Sequence, residues 1–208
     1  MTKVSMSEGN IRQKNKAIIF SAAKKEFVTY GFKGASIKRI AERAKIARAN
    51  IHYYFQDKTD LYQQLLSSII KVWNTDYDTL NADQDPKEAL SAYIRAKVMH
   101  SRDDPDSSRI FASELIHGAP VLNDYLNTDF KTWLQSKVAV IDTWVEKGLI
   151  DNVNPHHLLF LIWSSTQHYA DFNVQVLAAL NKEAMDDEDF EEVVASLTQI
   201  ILKGCGIH

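Results

Sequence analysis

The sequence predicts an all-α protein of about nine helices. Three observations carry that expectation. Strand signals are scarce: there is no Asn-Gly or Asp-Gly hairpin turn and no sustained alternation of apolar with polar residues. Apolar residues return every three or four positions along most of the chain. Gly, Pro and capping Asp, Asn or Ser interrupt this periodicity at helix-length intervals.

The elements follow in order. Ile18, Ala22, Ala23, Phe27 and Tyr30 recur at helical spacing, and Gly31 is the expected stop of a first helix from about Ile11. Ser36 can cap a short helix from Ile37 to about Ala44, with Ile37, Ile40 and Ala41 facing inward. A third runs from about Arg48 to Phe55. Asp57 caps a long fourth helix with Asp60 in its first turn, near the positive end of the helix dipole. That helix carries Leu61, Leu65, Ile69, Val72 and Trp73 and is read as far as Leu80. After the loop 81–86, Pro86 suits a first helical position, and Lys87 to Arg102 form the next helix, ended by the acidic run 103–106. Ser107 to His117 follow, and Gly-Ala-Pro at 118–120 breaks the chain. One long helix is expected from Val121 to Lys147, stopped by Gly148. Asn154 and Pro155 start another, through roughly Leu180, and Phe190 to Lys203 form the last, ended by Gly204.

The 208 residues, 45% of them hydrophobic, suffice for a sizeable core in one large or two small domains. No run of roughly 18 apolar residues exists, so no segment reads as membrane-spanning. The polar N-terminus lacks the apolar stretch of a signal peptide. The single cysteine, Cys205, forbids an intrachain disulfide and a cysteine-rich metal site. A cytoplasmic protein is expected.

The net charge of -3 conceals a division. Residues 1–58 hold 13 Lys or Arg and 4 Asp or Glu, a net of +9, whereas residues 59–208 hold 11 basic and 23 acidic groups, a net of -12. A basic opening quarter on an acidic body suggests that one end binds nucleic acid and the other does not. Helix, short helix, tight turn, short helix over residues 11–61, with small apolar residues at the crossing, is a helix-turn-helix arrangement whose second helix enters the major groove. On that recognition helix Ile51, Tyr54 and Phe55 share one face and can pack on the first helix. Arg48, Asn50, His52 and Tyr53 are left outward: Arg can pair with guanine and Asn with adenine, while Tyr and His reach phosphate or a thymine methyl. The expected domains are residues 1–56 for DNA binding and 57–208 for ligand binding and dimerisation.

The stretch "AAKKEFVTYGFKGASIKRIAERAKIARANIHYYFQDKTDLYQQLL" (22–66) resembles the DNA-binding domain of the TetR family of repressors. The shared elements are a small-residue helix ending in F-x-x-x-G-F, then I-x-x-I-A, then a helix closing in Tyr-Tyr-Phe, a polar residue and K-x-x-L. The resemblance implies a homodimer on a palindromic double-stranded operator, released when a small molecule binds the C-terminal domain. It places Ser36, Lys38, Tyr54 and Lys58 near the DNA backbone. Arg12, Lys14 and Lys16 form a basic entry able to reach the minor groove. Two positions depart from the family pattern. Lys45 stands where the turn usually has Gly, and Ala47 where a Ser or Thr often caps the recognition helix.

The apolar segment 158–180 also carries Trp163 and Gln167, four apart on one helical face, where a flat heterocycle could stack on the indole and pair with the amide. The same two residues could instead only pack in a dimer bundle. "SRDDPDSSRIFASELIHGAP" (101–120) and "LIWSSTQHYADF" (161–172) resemble a pyrimidine-responsive branch of the family. That likeness implies uracil or thymine as effector and Trp73, Lys97, Trp163 and Gln167 as its contacts. A TetR-type repressor answering to a different apolar or amino-acid-catabolite ligand is the alternative.

The last two long helices are expected to form a four-helix bundle with those of a second copy, through Leu158, Leu161, Ile162, Val194, Leu197 and Ile201. The remote alternative is an enzyme, for which Glu114 and His117, or His156 and His157, could bind metal or move protons. No H-E-x-x-H, nucleophile elbow, P-loop or dinucleotide fingerprint accompanies them. No catalytic residue, cofactor or metal ligand is therefore expected.

Overall fold

The computed structural model describes residues 3–77 and 80–208, and their side chains over 11–75 and 80–208. Among these residues it contains helices and no strand. The helices are α1 (Lys3–Gly34), α2 (Ile37–Ala44), α3 (Arg48–Tyr54), α4 (Lys58–Tyr77), α5 (Pro86–Asp103), α6 (Pro105–Ile116), α7 (Asn123–Asn127), α8 (Asp129–Glu146), α9 (Pro155–Asp171), α10 (Asn173–Leu180) and α11 (Asp187–Gly204).

Where this departs from the expected elements, the cause is local. Gly31, at φ 64° and ψ 175°, does interrupt α1, but helix resumes on its far side to Gly34. The acidic run after α5 breaks the helix only at Asp104, since Pro105 restarts it as α6. The helix expected over 121–147 divides at Thr128, which lies at φ -121° and ψ -90° and turns its hydroxyl back on the Asp124 carbonyl at 2.7 Å. The helix expected over 155–180 divides at Phe172, at φ -116° and ψ 30°, whose ring stacks on His168 at 5.1 Å. Leu80 is buried in the loop after α4 rather than on that helix.

The chain forms two compact units. The first comprises the residues up to Ile69 together with Ile110–Val121. Its core draws on Ile19, Ala22, Ala23 and Phe27 of α1, Ile40 and Ala41 of α2, Ile51 of α3, and Leu61, Tyr62, Leu65 and Leu66 of α4. Of the α1 residues that recur at helical spacing, Ile18 and Tyr30 are exposed. Ala22, Ala23 and Phe27 hold the buried stripe at the expected positions, and Ile19 heads it in place of Ile18. The second unit comprises Ile70–Arg109 and Leu122–His208. There α5 packs between α9 and α11. Leu90, Tyr93, Ile94, Trp144, Leu159, Ile162 and Ile201 form its main core, and Val98, Phe190, Val193 and Val194 a smaller one. A capping box starts α11: Asp186 accepts from the Asp189 N–H and Asp189 from the Asp186 N–H, both at 3.0 Å.

That packing corrects the expected dimer residues. Leu158, Ile162, Val194 and Ile201 are buried within the second unit's own core. The apolar side chains that α9, α10 and α11 leave exposed are Phe160, Leu161, Val174, Leu180 and Ile200, with Phe172 at the junction of α9 and α10.

Candidate functional site

In the first unit, α2 and α3 cross through small side chains and present an outer row. Ser36 caps α2, its hydroxyl accepting from the Arg39 N–H at 3.3 Å. Lys38 lies exposed one turn before Glu42, 3.9 Å from its carboxylate. Lys45 makes the turn in the left-handed region, φ 56° and ψ 39°, and its N–H reaches the Ala41 and Glu42 carbonyls. Ile51 on α3 and Phe55, the extended residue that ends it, are buried. Arg48, Asn50, His52 and Tyr53 face solvent, Tyr53 at 74% exposure. Tyr53 and Tyr54 meet edge-on with ring centres 5.0 Å apart.

Three features of this unit were not legible as site features. Tyr54 is half-buried, and its hydroxyl accepts from the Asn15 amide at 2.9 Å. Lys58 donates to the Phe32, Ala35 and Lys33 carbonyls at 2.7, 3.0 and 3.3 Å and lies over the Phe32 ring. It thus offsets the dipole at the end of α1, and any backbone contact through it would share those donors. Glu26, fully buried, accepts from the Ser36 N–H at 3.1 Å and from Arg39 Nε at 2.6 Å. Arg39 in turn stacks over Tyr30 at 4.4 Å. The clue to this last clasp was present: Glu26 is an acidic residue inside the stripe Ile19, Ala22, Ala23, Phe27, with a guanidinium thirteen residues on. Asn15 carries no such signal.

In the second unit, Lys97 is buried and its ammonium lies 4.5 Å from the centre of the Trp73 indole, so the structure brings these two predicted residues together. Trp163 is drawn into an aromatic group instead. Its Nε1–H donates to the Tyr93 hydroxyl at 2.7 Å and its ring stacks on Trp133 with centres 6.3 Å apart. Gln167 is half-buried one turn further along α9. At the end of α9, Asp171 accepts from the Ser108 hydroxyl at 2.6 Å, and Arg109 donates to the Ala170 carbonyl at 2.9 Å. Burial pushes the Asp171 carboxyl above the ordinary carboxylate range, against the opposing pull of Ser108, Arg109, Lys97 and His168. A groove of about 250 Å³ opens beside this cluster, its lining including Arg102, Arg109, Tyr169, Met185 and Phe190. None of Trp73, Lys97, Trp163 and Gln167 lines it.

Of the groups that sequence spacing offered to an enzyme, Glu114 and His117 are otherwise engaged, and His156 and His157 are exposed beside Phe160. Glu114 is buried in the first unit and accepts from the Val121 N–H at 2.6 Å, beside the Tyr62 hydroxyl, whose pKa is raised by burial and by that carboxylate. His117 Nδ1 bonds the Ser113 carbonyl. Among the described residues no group of three or more His, Cys, Asp and Glu could hold a metal ion, and no helix is long and apolar enough to cross a membrane.

Comparison with known proteins agrees with this layout. Residues 19–65 match the profile of bacterial regulatory proteins of the tetR family, and residues 66–208 that of the YcdC-like protein C-terminal region. The HTH-type transcriptional regulator RutR of Escherichia coli, strain K12, is 40% identical over 194 residues, 93% of this chain and 91% of its own length. The uncharacterized regulator YhgD of Bacillus subtilis is 20% identical over 71% of this chain and 78% of its own. Among solved structures, SCO4942 from Streptomyces coelicolor superposes with a TM-score of 0.72 at 22% identity, covering 91% of this chain and 97% of that one. The FadR regulator of Bacillus subtilis, solved with stearoyl-CoA, gives 0.67 at 17%, covering 92% and 99%.

Proposed function

The chain belongs to the tetR family of bacterial regulatory proteins, and from that premise we propose that it is a homodimeric repressor that leaves a palindromic operator when a pyrimidine such as uracil or thymine binds its second unit. As a transcriptional regulator it works on chromosomal DNA in the cytoplasm. The observation that carries the DNA-binding half is the row Arg48, Asn50, His52 and Tyr53, all exposed on α3, whose opposite face is buried. Arg48 and Asn50 supply base-edge readout, and Ser36, Lys38, Tyr54 and Lys58 the backbone contacts.

For the effector, the juxtaposition of Trp73 and Lys97 supports a flat ring with carbonyl acceptors. Such a ring accepts from the ammonium and packs against the indole beside it, and Trp163 and Gln167 join these contacts in the reading that the family resemblance implies, Trp163 by giving up its bond to Tyr93. The response has a covalent route. α4 (Lys58–Tyr77) is one helix whose first part belongs to the first unit and whose last part, with Trp73, belongs to the second. A shift at one end of that rod alters the spacing of two recognition helices, which a dimer must hold near one DNA turn, about 34–36 Å. The ligand moves this equilibrium only by its differential affinity for the two states, typically about 1–3 kcal/mol.

Fluorescence anisotropy on the gene's own upstream promoter fragment tests the DNA reading at moderate ionic strength. Preference over bulk competitor DNA is expected, and equal binding refutes it. Calorimetry with uracil and thymine tests the effector. Heat of binding that weakens in Gln167→Ala and Lys97→Met is expected. No heat from either pyrimidine would redirect the search to an apolar or amino-acid-catabolite ligand.

A further inference from the structure

We propose that Asn15 is a positioning residue for operator binding: its amide occupies one lone pair of the Tyr54 hydroxyl and leaves that hydroxyl's own proton to be delivered to a phosphate oxygen. The inference rests on the reading of Tyr54 as a DNA-backbone contact.

A phenolic hydroxyl offers one O–H and two lone pairs, and an isolated one rotates its proton toward whichever acceptor is nearest. Here Asn15 Nδ2 lies 2.9 Å from the Tyr54 oxygen as donor. The proton of the hydroxyl is thereby turned away from α1, and accepting one bond polarises the hydroxyl into a better donor for the next. The chain runs amide to hydroxyl to phosphate, with no net charge moved and no bond other than hydrogen bonds made or broken.

The surroundings hold both partners in place. Tyr53 abuts the Tyr54 ring edge-on at 5.0 Å, and Phe55, the next residue, is buried at 1% exposure. Lys16, next to Asn15, donates to Gln64 Oε1 at 3.0 Å and lies 5.4 Å over the Phe55 ring. Gln64 then donates to Asp60 at 2.8 Å, and Asp60 accepts from the Gln56 N–H at 2.8 Å. The α3–α4 turn is thus tied to α1 on either side of Tyr54. Within that frame the Asn15 amide is the group that meets the Tyr54 hydroxyl and sets its direction.

A purely structural role forecasts a lower melting temperature for Asn15→Ala with operator affinity unchanged, and the positioning role forecasts the reverse. Asn is a weaker helix former than Ala, so in Asn15→Ala the propensity gained offsets the hydrogen bond lost. Stability should then move little while operator affinity falls.

The test is a double-mutant cycle on the full chain with the promoter fragment, comparing Asn15→Ala, Tyr54→Phe and the double variant at two salt concentrations, with melting temperature measured alongside. Each single variant is expected to bind about tenfold more weakly, the double no more weakly than either, with an unchanged salt slope because no charge is removed. If Tyr54→Phe weakens binding and Asn15→Ala does not, or if the two losses add, the proposal is overturned while the DNA-binding reading stands. If Tyr54→Phe has no effect, the assignment of Tyr54 to the backbone fails, and the proposal with it.

Discussion

Lys45 turns α2 into α3 with a positive φ of 56°, a region in which a β-carbon crowds the following carbonyl. Glycine relieves that crowding but gains freedom in the unfolded chain, so Lys45→Gly is expected to stabilise by a net of about 0.5–1 kcal/mol in urea unfolding. Two residues on, Ala47 has the extended backbone of a helix cap, φ -65° and ψ 141°, and no side-chain cap bond. Ala47→Ser should add about 1 kcal/mol and raise the melting temperature. An unchanged value would place the start of α3 elsewhere. Asp171 gives a pH-dependent case. Its folded carboxyl holds a proton more tightly than the unfolded one, so its contribution to stability is greatest when protonated and falls as pH rises from the ordinary carboxylate range through the raised value. Asp171→Asn keeps an acceptor for Ser108 and removes that penalty. Its melting temperature should exceed the parent's at neutral pH, with the difference closing below the ordinary carboxylate range. Lys45 and Ala47 stood out in the chain through the resemblance to the TetR pattern, which expects Gly at the turn and a hydroxyl at the cap. Asp171 did not, since Ser108 approaches it from α6.

At the scale of elements, the clasp between α1 and α2 is the most exposed to a single substitution. Glu26 is fully buried, and one of its oxygens has no hydrogen-bond partner among the described residues. Its other oxygen depends on Arg39 and the Ser36 N–H. Arg39→Ala leaves that carboxylate without its cation and is expected to cost about 3 kcal/mol in chemical unfolding. Adding Glu26→Leu should recover part of it. A loss below about 1 kcal/mol would mean that the pair behaves as an exposed one. The helix breaks at Thr128 and Phe172 show what periodicity misses. A one-residue bend leaves the apolar spacing on either side intact, so the periodicity carries no sign of it. Helices closed by Pro, Gly or an Asx cap, such as α9 with Asn154 and Pro155 at its start, were legible because those signals act within one turn.

For the whole molecule the question is which apolar surface remains for a second copy. The exposed Phe160 and Leu161 on α9 and Ile200 on α11 are the candidates. Leu161→Arg with Ile200→Glu should convert dimer to monomer in sedimentation at micromolar concentration and weaken operator binding. A wild-type monomer would contradict the homodimer altogether. The net +9 over residues 1–58 predicts operator affinity that falls steeply with salt, log K declining by about 0.9 per phosphate neutralised for each unit of log salt. A flat line would sever the basic end from DNA.

What the sequence by itself determined is whatever depends on neighbours within a turn or on summed composition. That includes the all-α class, the order and capping of most helices, the basic end and acidic body, and the outward row on α3. Only the tertiary structure decided the rest. Leu158, Ile162, Val194 and Ile201 are internal and Leu161 is not, Asn15 reaches Tyr54 across 39 residues, and Glu26 meets Arg39. The physical reason is that burial and hydrogen-bond partnership belong to pairs of distant residues. A helical stripe shows which side chains seek an apolar surface but not which surface covers them.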